Sequence, residues 1–124
     1  MTSSSRLAGG VALALLGAMG ASAADLKRGA LLFQTCTACH SPLGDGVGPD
    51  LAGIVGKKAA QTAGFDYSPA MRASGLTWDE STLRRFITNP QQTVRGTKMT
   101  FVGYSNPDDV EAVLAYIKSQ QGAP

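Results

Sequence analysis

Two stretches near the ends of the chain repeat apolar or small residues at helical spacing. Those positions are Leu26, Gly29, Ala30 and Phe33 in the first stretch and Val110, Val113, Leu114 and Ile117 in the second. Each follows the i, i+3, i+4, i+7 rule of an amphipathic helix. Asp25 is the expected N-cap of the first helix, and Asn106 with Pro107 fits the N-cap and first position of the second. Because each helix has one apolar face to bury, we expect the two to pack on one another.

The middle of the chain predicts loops with two shorter helices. Residues 77–80, Thr-Trp-Asp-Glu, match a capping box with Thr77 as the N-cap, and the helix that follows should stop at Asn89-Pro90. A shorter helix is expected over residues 68–74, closed by Gly75. No segment alternates convincingly enough to predict a strand. The fold class is therefore a small all-α domain whose long loops are reasonable if they surround something that is not protein.

The N-terminal residues have the pattern of a secretory signal peptide. A single cation, Arg6, precedes an uncharged apolar run over residues 7–20, and Ala-Ser-Ala at 21–23 is a small-x-small cleavage site. We predict a signal peptide over residues 1–23 and a single domain over residues 24–124, with cleavage after Ala24 as an alternative. An uncleaved membrane anchor is the rival interpretation, although the apolar run is short and rich in glycine. Export implies the periplasm or an equivalent compartment.

Composition and charge exclude several classes of protein. The chain has 124 residues, of which 44% are hydrophobic and 16% charged, with a formal net charge of +2. These values fit one globular domain and argue against wholesale disorder. The small net charge offers no polybasic arm, so no nucleic-acid partner is expected. Two cysteines are too few for a disulfide framework.

Those two cysteines belong to a C-x-x-C-H motif at residues 36–40. Thiols three residues apart can add to the two vinyl groups of a haem, and His40, next in the chain, can offer a nitrogen to the iron. A redox C-x-x-C normally lies on a βαβ unit, which this chain lacks. A structural zinc site needs four ligands, whereas the chain has only Cys36, Cys39 and His40. The motif therefore indicates one covalently attached haem, held by Cys36 and Cys39.

A second axial ligand would have to come from elsewhere in the chain. Of the four methionines, Met1 and Met19 lie in the predicted signal peptide, which leaves Met71 and Met99. Met99 lies in a glycine-containing loop after a helix that a proline has stopped, a place from which a thioether can face an iron opposite His40. Met71 is interpreted as core filler, the commoner role of methionine.

Taken together, these motifs make the chain resemble the class I c-type cytochromes, in particular the mitochondrial-like soluble bacterial branch. The resemblance covers residues 25–119. It rests on Gly29 with Phe33, residues 36–40, 48–51, 65–67 and 75–78, Asn89-Pro90, residues 96–99 and Ala115-Tyr116. It implies the small cytochrome c fold, one haem c with its iron, His40 and Met99 as axial ligands, and one-electron transfer rather than enzyme catalysis.

The resemblance also implies a set of residues around the haem. The Pro49 carbonyl is expected to accept a hydrogen bond from the free ring nitrogen of His40. Hydrogen bonds to a buried haem propionate are expected from Tyr67 and Trp78, with Lys57 nearby and Thr97 as a further contact. Phe101 is expected to cover the Met99 side of the ring. Two positions depart from the family, since Phe86 and Met71 stand where many relatives have tyrosine and asparagine.

The expected partners are redox proteins, either membrane complexes or periplasmic dehydrogenases that donate and accept electrons, and the chain is expected to be a monomer. Thr35, Gln91 and Gln92 stand where relatives often carry lysines, so we predict that salt affects association weakly. Three rival functions remain: a haem peroxidase or gas sensor, a binding module without cofactor, and a thiol oxidoreductase. The first would require Met99 to dissociate readily from the iron.

Overall fold

The computed structural model describes residues 9–10 and 20–121, so most of the predicted signal peptide lies outside the described residues. Five helices follow in order: α1 (Ala23–Thr37), α2 (Pro69–Ala73), α3 (Glu80–Thr88), α4 (Pro90–Thr93) and α5 (Pro107–Ser119). Within these ranges the only strand-like pairing is an isolated bridge between Lys58 and Thr77. The predicted all-α class is confirmed. In the same part of the chain, no helix has both the length and the apolar character needed to cross a membrane.

Helix α1 begins earlier than the sequence pattern predicts. Ser22 is its N-cap, and its side chain accepts a hydrogen bond from the Asp25 backbone N–H at 3.1 Å. The Asp25 carboxylate in turn accepts from the Ser22 backbone N–H at 3.3 Å, which completes a capping box. The prediction of Asp25 as the N-cap is therefore wrong. The reason is that Ala23 and Ala24 are strong helix formers that extend the helix back to the serine.

The two terminal helices pack on each other at close range, as predicted. A Cβ atom on Gly29 of α1 would lie 2.1 Å from the carbonyl oxygen of Ala112 and 2.9 Å from Cβ of Tyr116 on α5. One turn further on, the Phe33 and Tyr116 rings have centroids 5.2 Å apart. Only a glycine permits this approach. Gly29 lowers the helix propensity of α1, but it allows the close contact between the two helices.

The start of α3 also differs from its prediction. Asp79, and not Thr77, is the N-cap, and its side chain accepts a hydrogen bond from the Thr82 N–H at 2.8 Å. Thr77 belongs instead to the isolated bridge with Lys58, next to which the Trp78 N–H donates to the Lys57 carbonyl at 2.8 Å. This pairing holds the chain extended before the helix, which is why the capping role moves two residues along.

The remaining helices are short. Helix α2 has Ser68 as its N-cap and Ser74 as its C-cap, in agreement with the sequence pattern. Helix α3 ends at Thr88 with Asn89 as its C-cap, in agreement with the predicted stop at Asn89-Pro90, but the same asparagine is also the N-cap of α4, which the pattern did not predict. Pro90 stops α3 because its ring disfavours a helical conformation in the residue before it, and it starts α4 because its fixed φ suits a first helical position.

A single apolar core joins these elements and forms the floor of the functional site. Its most buried side chains, Val113 and Leu114, come from α5. The other buried members are Ile54, Ala59, Met71, Trp78, Leu83, Phe86, Ile87, Val94, Val110 and Ile117. Since α5, α3 and the loop residues all contribute to this cluster, the loops keep fixed positions beside the helices.

Candidate functional site

One cleft beside the core collects nearly all of the residues predicted to hold the haem. Nine of the ten predicted residues line it: Cys36, Cys39, His40, Pro49, Tyr67, Trp78, Thr97, Met99 and Phe101. The same cleft is lined by the core side chains Met71 and Phe86. Residues separated by more than 60 positions in the chain therefore share one largely apolar cavity.

The C-x-x-C-H motif lies at the C-terminal end of α1. The His40 N–H donates to the Cys36 carbonyl at 2.8 Å, and the Cys39 N–H donates to the same oxygen at 3.1 Å. This tight turn keeps the two cysteines and the histidine together on the cleft. Both cysteines are free thiols, Cys36 half-buried and Cys39 exposed. The arrangement presents two uncommitted sulfurs beside an imidazole.

The pKa of the Cys36 thiol is affected chiefly by its burial. Burial raises the pKa of Cys36 above its ordinary value of 9.0, and a hydrogen bond involving Tyr104 offsets only part of the rise. Cysteines that act as redox nucleophiles have lowered pKa values, because the thiolate is the reactive form. The surroundings of Cys36 therefore favour a protonated thiol.

The orientation of His40 follows from its neighbours. Its Nδ1 atom lies 2.7 Å from the carbonyl oxygen of Pro49. A carbonyl can only accept a hydrogen bond, so Nδ1 carries the proton and Nε2 keeps its lone pair for a metal. Gly48 leaves room for the ring, since a Cβ atom there would lie 2.7 Å from Cε1 and 2.8 Å from Nδ1 of His40. A second shell of this kind is what fixes a histidine that ligates a metal.

The opposite wall carries two thioethers. Met99 is half-buried, and its backbone N–H donates to Oγ1 of Thr97 at 3.3 Å. Met71, on α2, is only 7% exposed and belongs to the core cluster, yet it also lines the cleft. Because both methionines line the cleft, their positions there do not decide which sulfur is the axial ligand. The core contacts of Met71 agree with the prediction that it fills space in the core.

Pairs of aromatic rings stiffen the cleft. Trp78 and Phe86 have ring centroids 4.9 Å apart, and Phe65 and Tyr67 have centroids 4.8 Å apart with their rings nearly perpendicular. The Tyr67 hydroxyl oxygen also accepts a hydrogen bond from the Thr62 N–H at 3.1 Å. Offset and edge-on contacts of this kind add stability beyond the area that the rings bury.

Lys57 is the one predicted residue that does not line the cleft. Its side chain is exposed, and its Nζ donates to the Ala52 carbonyl at 3.3 Å. Its backbone is nevertheless adjacent to the cleft, because its carbonyl accepts from the N–H of Trp78. The contact between Lys57 and a propionate stays a prediction.

Tyr104 does not line the cleft but contacts two residues that do, Cys36 and Phe101, and sequence reasoning missed it. Its hydroxyl donates to the Leu32 carbonyl of α1 at 3.0 Å, and its ring lies edge-on to Phe101 with centroids 5.0 Å apart. Burial, together with the neighbouring Cys36, raises the pKa of Tyr104 to about 12, so the hydroxyl stays a donor. An aromatic residue in a loop without periodicity carries no sequence signal for such a contact.

The donor set fits a covalently attached haem. Two free thiols on one turn match the two vinyl groups, an imidazole with a free Nε2 matches one axial position, and a thioether matches the other. The remaining lining is mostly apolar, which suits the faces of a porphyrin. Of the residues that were predicted, Lys57 alone does not line the cleft.

Comparisons with known proteins agree with this chemistry. A family described as cytochrome c matches residues 26–121. Cytochrome c2 of Rhodomicrobium vannielii is 46% identical over 81% of this chain and 82% of the relative. Cytochrome c-554 of Methylosinus trichosporium is 42% identical over 94% of this chain and 90% of the relative. Among solved structures, cytochrome cH from Methylobacterium extorquens is 43% identical, with a TM-score of 0.73 over 77% of this chain and 98% of that one.

Proposed function

The chain belongs to the class I c-type cytochromes, and on that premise we propose that it carries electrons in the periplasm with His40 and Met99 as axial ligands. Membership of the family makes it an electron carrier rather than an enzyme, with one covalently bound haem c and its iron. When bound, the haem supplies a one-electron couple between ferrous and ferric iron. The roles below are those of the residues of the chain itself.

The observation that carries the proposal is the meeting of four sulfur and nitrogen donors in one apolar cleft. Cys36 and Cys39 would form the thioether links, because both are free thiols on the turn that ends α1. His40 would bind through Nε2, since Pro49 holds its Nδ1 proton. Met99 would take the opposite position. With side chains as both ligands, no substrate could bind the iron, as suits an electron carrier.

The other cleft residues would control the surroundings of the haem. Tyr67 and Trp78 line the cleft and carry a hydroxyl and an indole N–H, groups that can hydrogen-bond a propionate, and Thr97 carries a second hydroxyl. Lys57 would join them by releasing its exposed contact with the Ala52 carbonyl. Phe101, braced by Tyr104, would shield the Met99 side from water. A drier cleft disfavours the additional charge of the ferric state.

The proposed periplasmic location and the proposed partners are inferred from the sequence pattern and from the exposed surface. The predicted signal peptide over residues 1–23 would direct export, and an intact mass of the exported protein would distinguish cleavage after Ala23 from cleavage after Ala24. The partners would be redox proteins, namely membrane complexes or periplasmic dehydrogenases, and the chain would bind them as a monomer. Val47 at the cleft and Val102 beside Phe101 are 78% and 85% exposed, so docking would be more apolar than electrostatic.

A matched pair of variants tests the axial ligand. Met99→Leu and Met71→Leu each replace one cleft thioether with an apolar side chain of similar volume, so packing is disturbed to a similar degree. We expect Met99→Leu to abolish the red charge-transfer band of methionine-ligated ferric haem, to lower the potential and to permit carbon monoxide binding to the ferrous form. Met71→Leu should keep the band. A band that survives Met99→Leu, or that disappears in Met71→Leu, would refute the assignment.

A further inference from the structure

Gln91 makes an unusual set of contacts with the segment that carries Met99. This segment, residues 95–101, is called the Met99 loop below. The Gln91 amide nitrogen donates to the carbonyl of Thr97 at 2.9 Å and to the carbonyl of Met99 at 3.3 Å. Its amide oxygen accepts from the N–H of Gly96 at 3.3 Å. One side chain thus contacts three backbone groups within four consecutive residues.

Only one orientation of the amide satisfies this geometry. The nitrogen has two hydrogens to donate and faces two carbonyl oxygens, while the oxygen faces the N–H of Gly96. Turning the amide over would place oxygen against oxygen and N–H against N–H. Neither a lysine, which only donates, nor a glutamate, which only accepts when ionised, can make the full set. The contacts are therefore specific to an uncharged amide.

The helix that carries Gln91 is itself held in place by several contacts. Gln91 lies in α4 between Pro90, which is among the most buried side chains, and Thr93, whose Oγ1 lies 2.9 Å from the carbonyl oxygens of both Arg85 and Asn89 and shares its one hydrogen between them. The Asn89 side chain caps the same helix. A short helix tied to the end of α3 in this way can transmit its position to the loop.

The Met99 loop has two further contacts of a different kind. Lys98 donates to the Asp66 carbonyl at 2.6 Å and to its carboxylate at 3.3 Å, and water screens the ion pair because the Asp66 side chain is 83% exposed. Inside the loop, the Thr97 N–H donates to the Val94 carbonyl at 3.0 Å. Gly96, with a φ of 95°, gives the turn its left-handed residue.

We propose that Gln91 is a positioning residue that keeps the Met99 loop closed, and the Met99 thioether directed into the cleft, through its side-chain amide. This inference rests on the proposed function, since it assumes that Met99 is the ligand that must be held. Loss of the amide would raise the fraction of molecules in which the loop is open, and an external ligand would then compete more easily for the iron.

The test compares Gln91→Ala with Gln92→Ala in the ferric holoprotein. Gln92 is the matched control because it lies on the same helix, has the same side chain and is exposed as Gln91 is, while its backbone N–H donates to Oδ1 of Asn89 and not to the Met99 loop. We expect imidazole to bind Gln91→Ala about tenfold more tightly than the unmodified protein, which corresponds to about 1.4 kcal/mol of lost hydrogen bonding. Gln92→Ala should change the affinity less than about twofold.

A second readout does not depend on the identity of the ligand. Hydrogen exchange at the Gly96 amide should become about tenfold faster in Gln91→Ala, because its acceptor is gone, while the Val113 amide in α5 should be unaffected. Equal acceleration at both amides would mean general destabilisation and would overturn the proposal. If Gln91→Ala does not fold, Gln91→Leu gives the same comparison, since it fills a similar volume and loses both donor contacts and the acceptor for the Gly96 N–H.

The two hypotheses fail in different ways. A missing charge-transfer band in the unmodified holoprotein would refute Met99 as the ligand, and the exchange measurement would then decide alone whether Gln91 holds the loop. With the band present, equal imidazole affinities for Gln91→Ala and Gln92→Ala would overturn the role of Gln91 and leave the proposed function intact.

Discussion

The contact between α1 and α5 leads to a quantitative prediction for Gly29→Ala. An added Cβ atom would lie 2.1 Å from the Ala112 carbonyl oxygen, 2.8 Å from its carbonyl carbon and 2.9 Å from Cβ of Tyr116. Real Cβ atoms essentially never approach another atom closer than 3.0 Å, so the contact with the Ala112 oxygen would be too short by about 1 Å. Because two of the three neighbours are backbone atoms in the middle of α5, they cannot turn aside as the end of a side chain would.

The size of the effect follows from two opposing contributions. Forcing extra volume into a packed contact costs about 1–3 kcal/mol, and a backbone clash belongs at the upper end of that range. Replacing glycine by alanine inside a helix returns about 1 kcal/mol of helix propensity. The net loss in the free energy of unfolding is therefore about 2 kcal/mol, which lowers Tm by about 10 °C in a domain of this size.

Thermal unfolding of the holoprotein, followed by far-ultraviolet circular dichroism, measures this loss. Lys27→Ala is the control, because it changes an exposed position on the same helix without adding volume at the interface. It should leave Tm nearly unchanged. A Gly29→Ala variant with an unchanged or higher Tm would show that helix propensity outweighs the clash and would refute the packing argument.

Further predictions concern the cleft and the surface. Gly48→Ala should push the His40 ring from its place and lower the potential or the haem content, as spectra and redox titration would show; an unaltered holoprotein would contradict the close contact. A hydrogen bond from Lys118 lowers the pKa of Glu80 below its ordinary value of 4.5, so the stability this pair adds is present above that pH and is lost as the pH falls through the lowered pKa. The Tm difference between the unmodified protein and Glu80→Gln should accordingly vanish in acid, and a difference that grows there would oppose the assignment. Rates of electron exchange with a redox partner should vary weakly with ionic strength, and a steep fall with added salt would contradict apolar docking.

Local patterns were sufficient where the controlling interactions are local. Neighbouring residues predict the helical spacing in α1 and α5, a short helix at residues 68–74 and the stop at Asn89-Pro90, and the structure agrees with them. The C-x-x-C-H motif likewise carries its chemistry within five residues. This motif and the resemblance to the class I c-type cytochromes together predicted ten residues around the haem, and nine of them line one cleft.

Distant contacts decided the remainder, and no periodicity encodes them. The bridge between Lys58 and Thr77 moved the cap of α3 to Asp79. Folding placed Met71 in the same cleft as Met99, and it brought the Gln91 amide against the Met99 loop. Helical spacing and helix caps depend on interactions between residues a few positions apart, so they can be predicted from the sequence. The walls of the cleft depend on which surfaces meet after the terminal helices have packed.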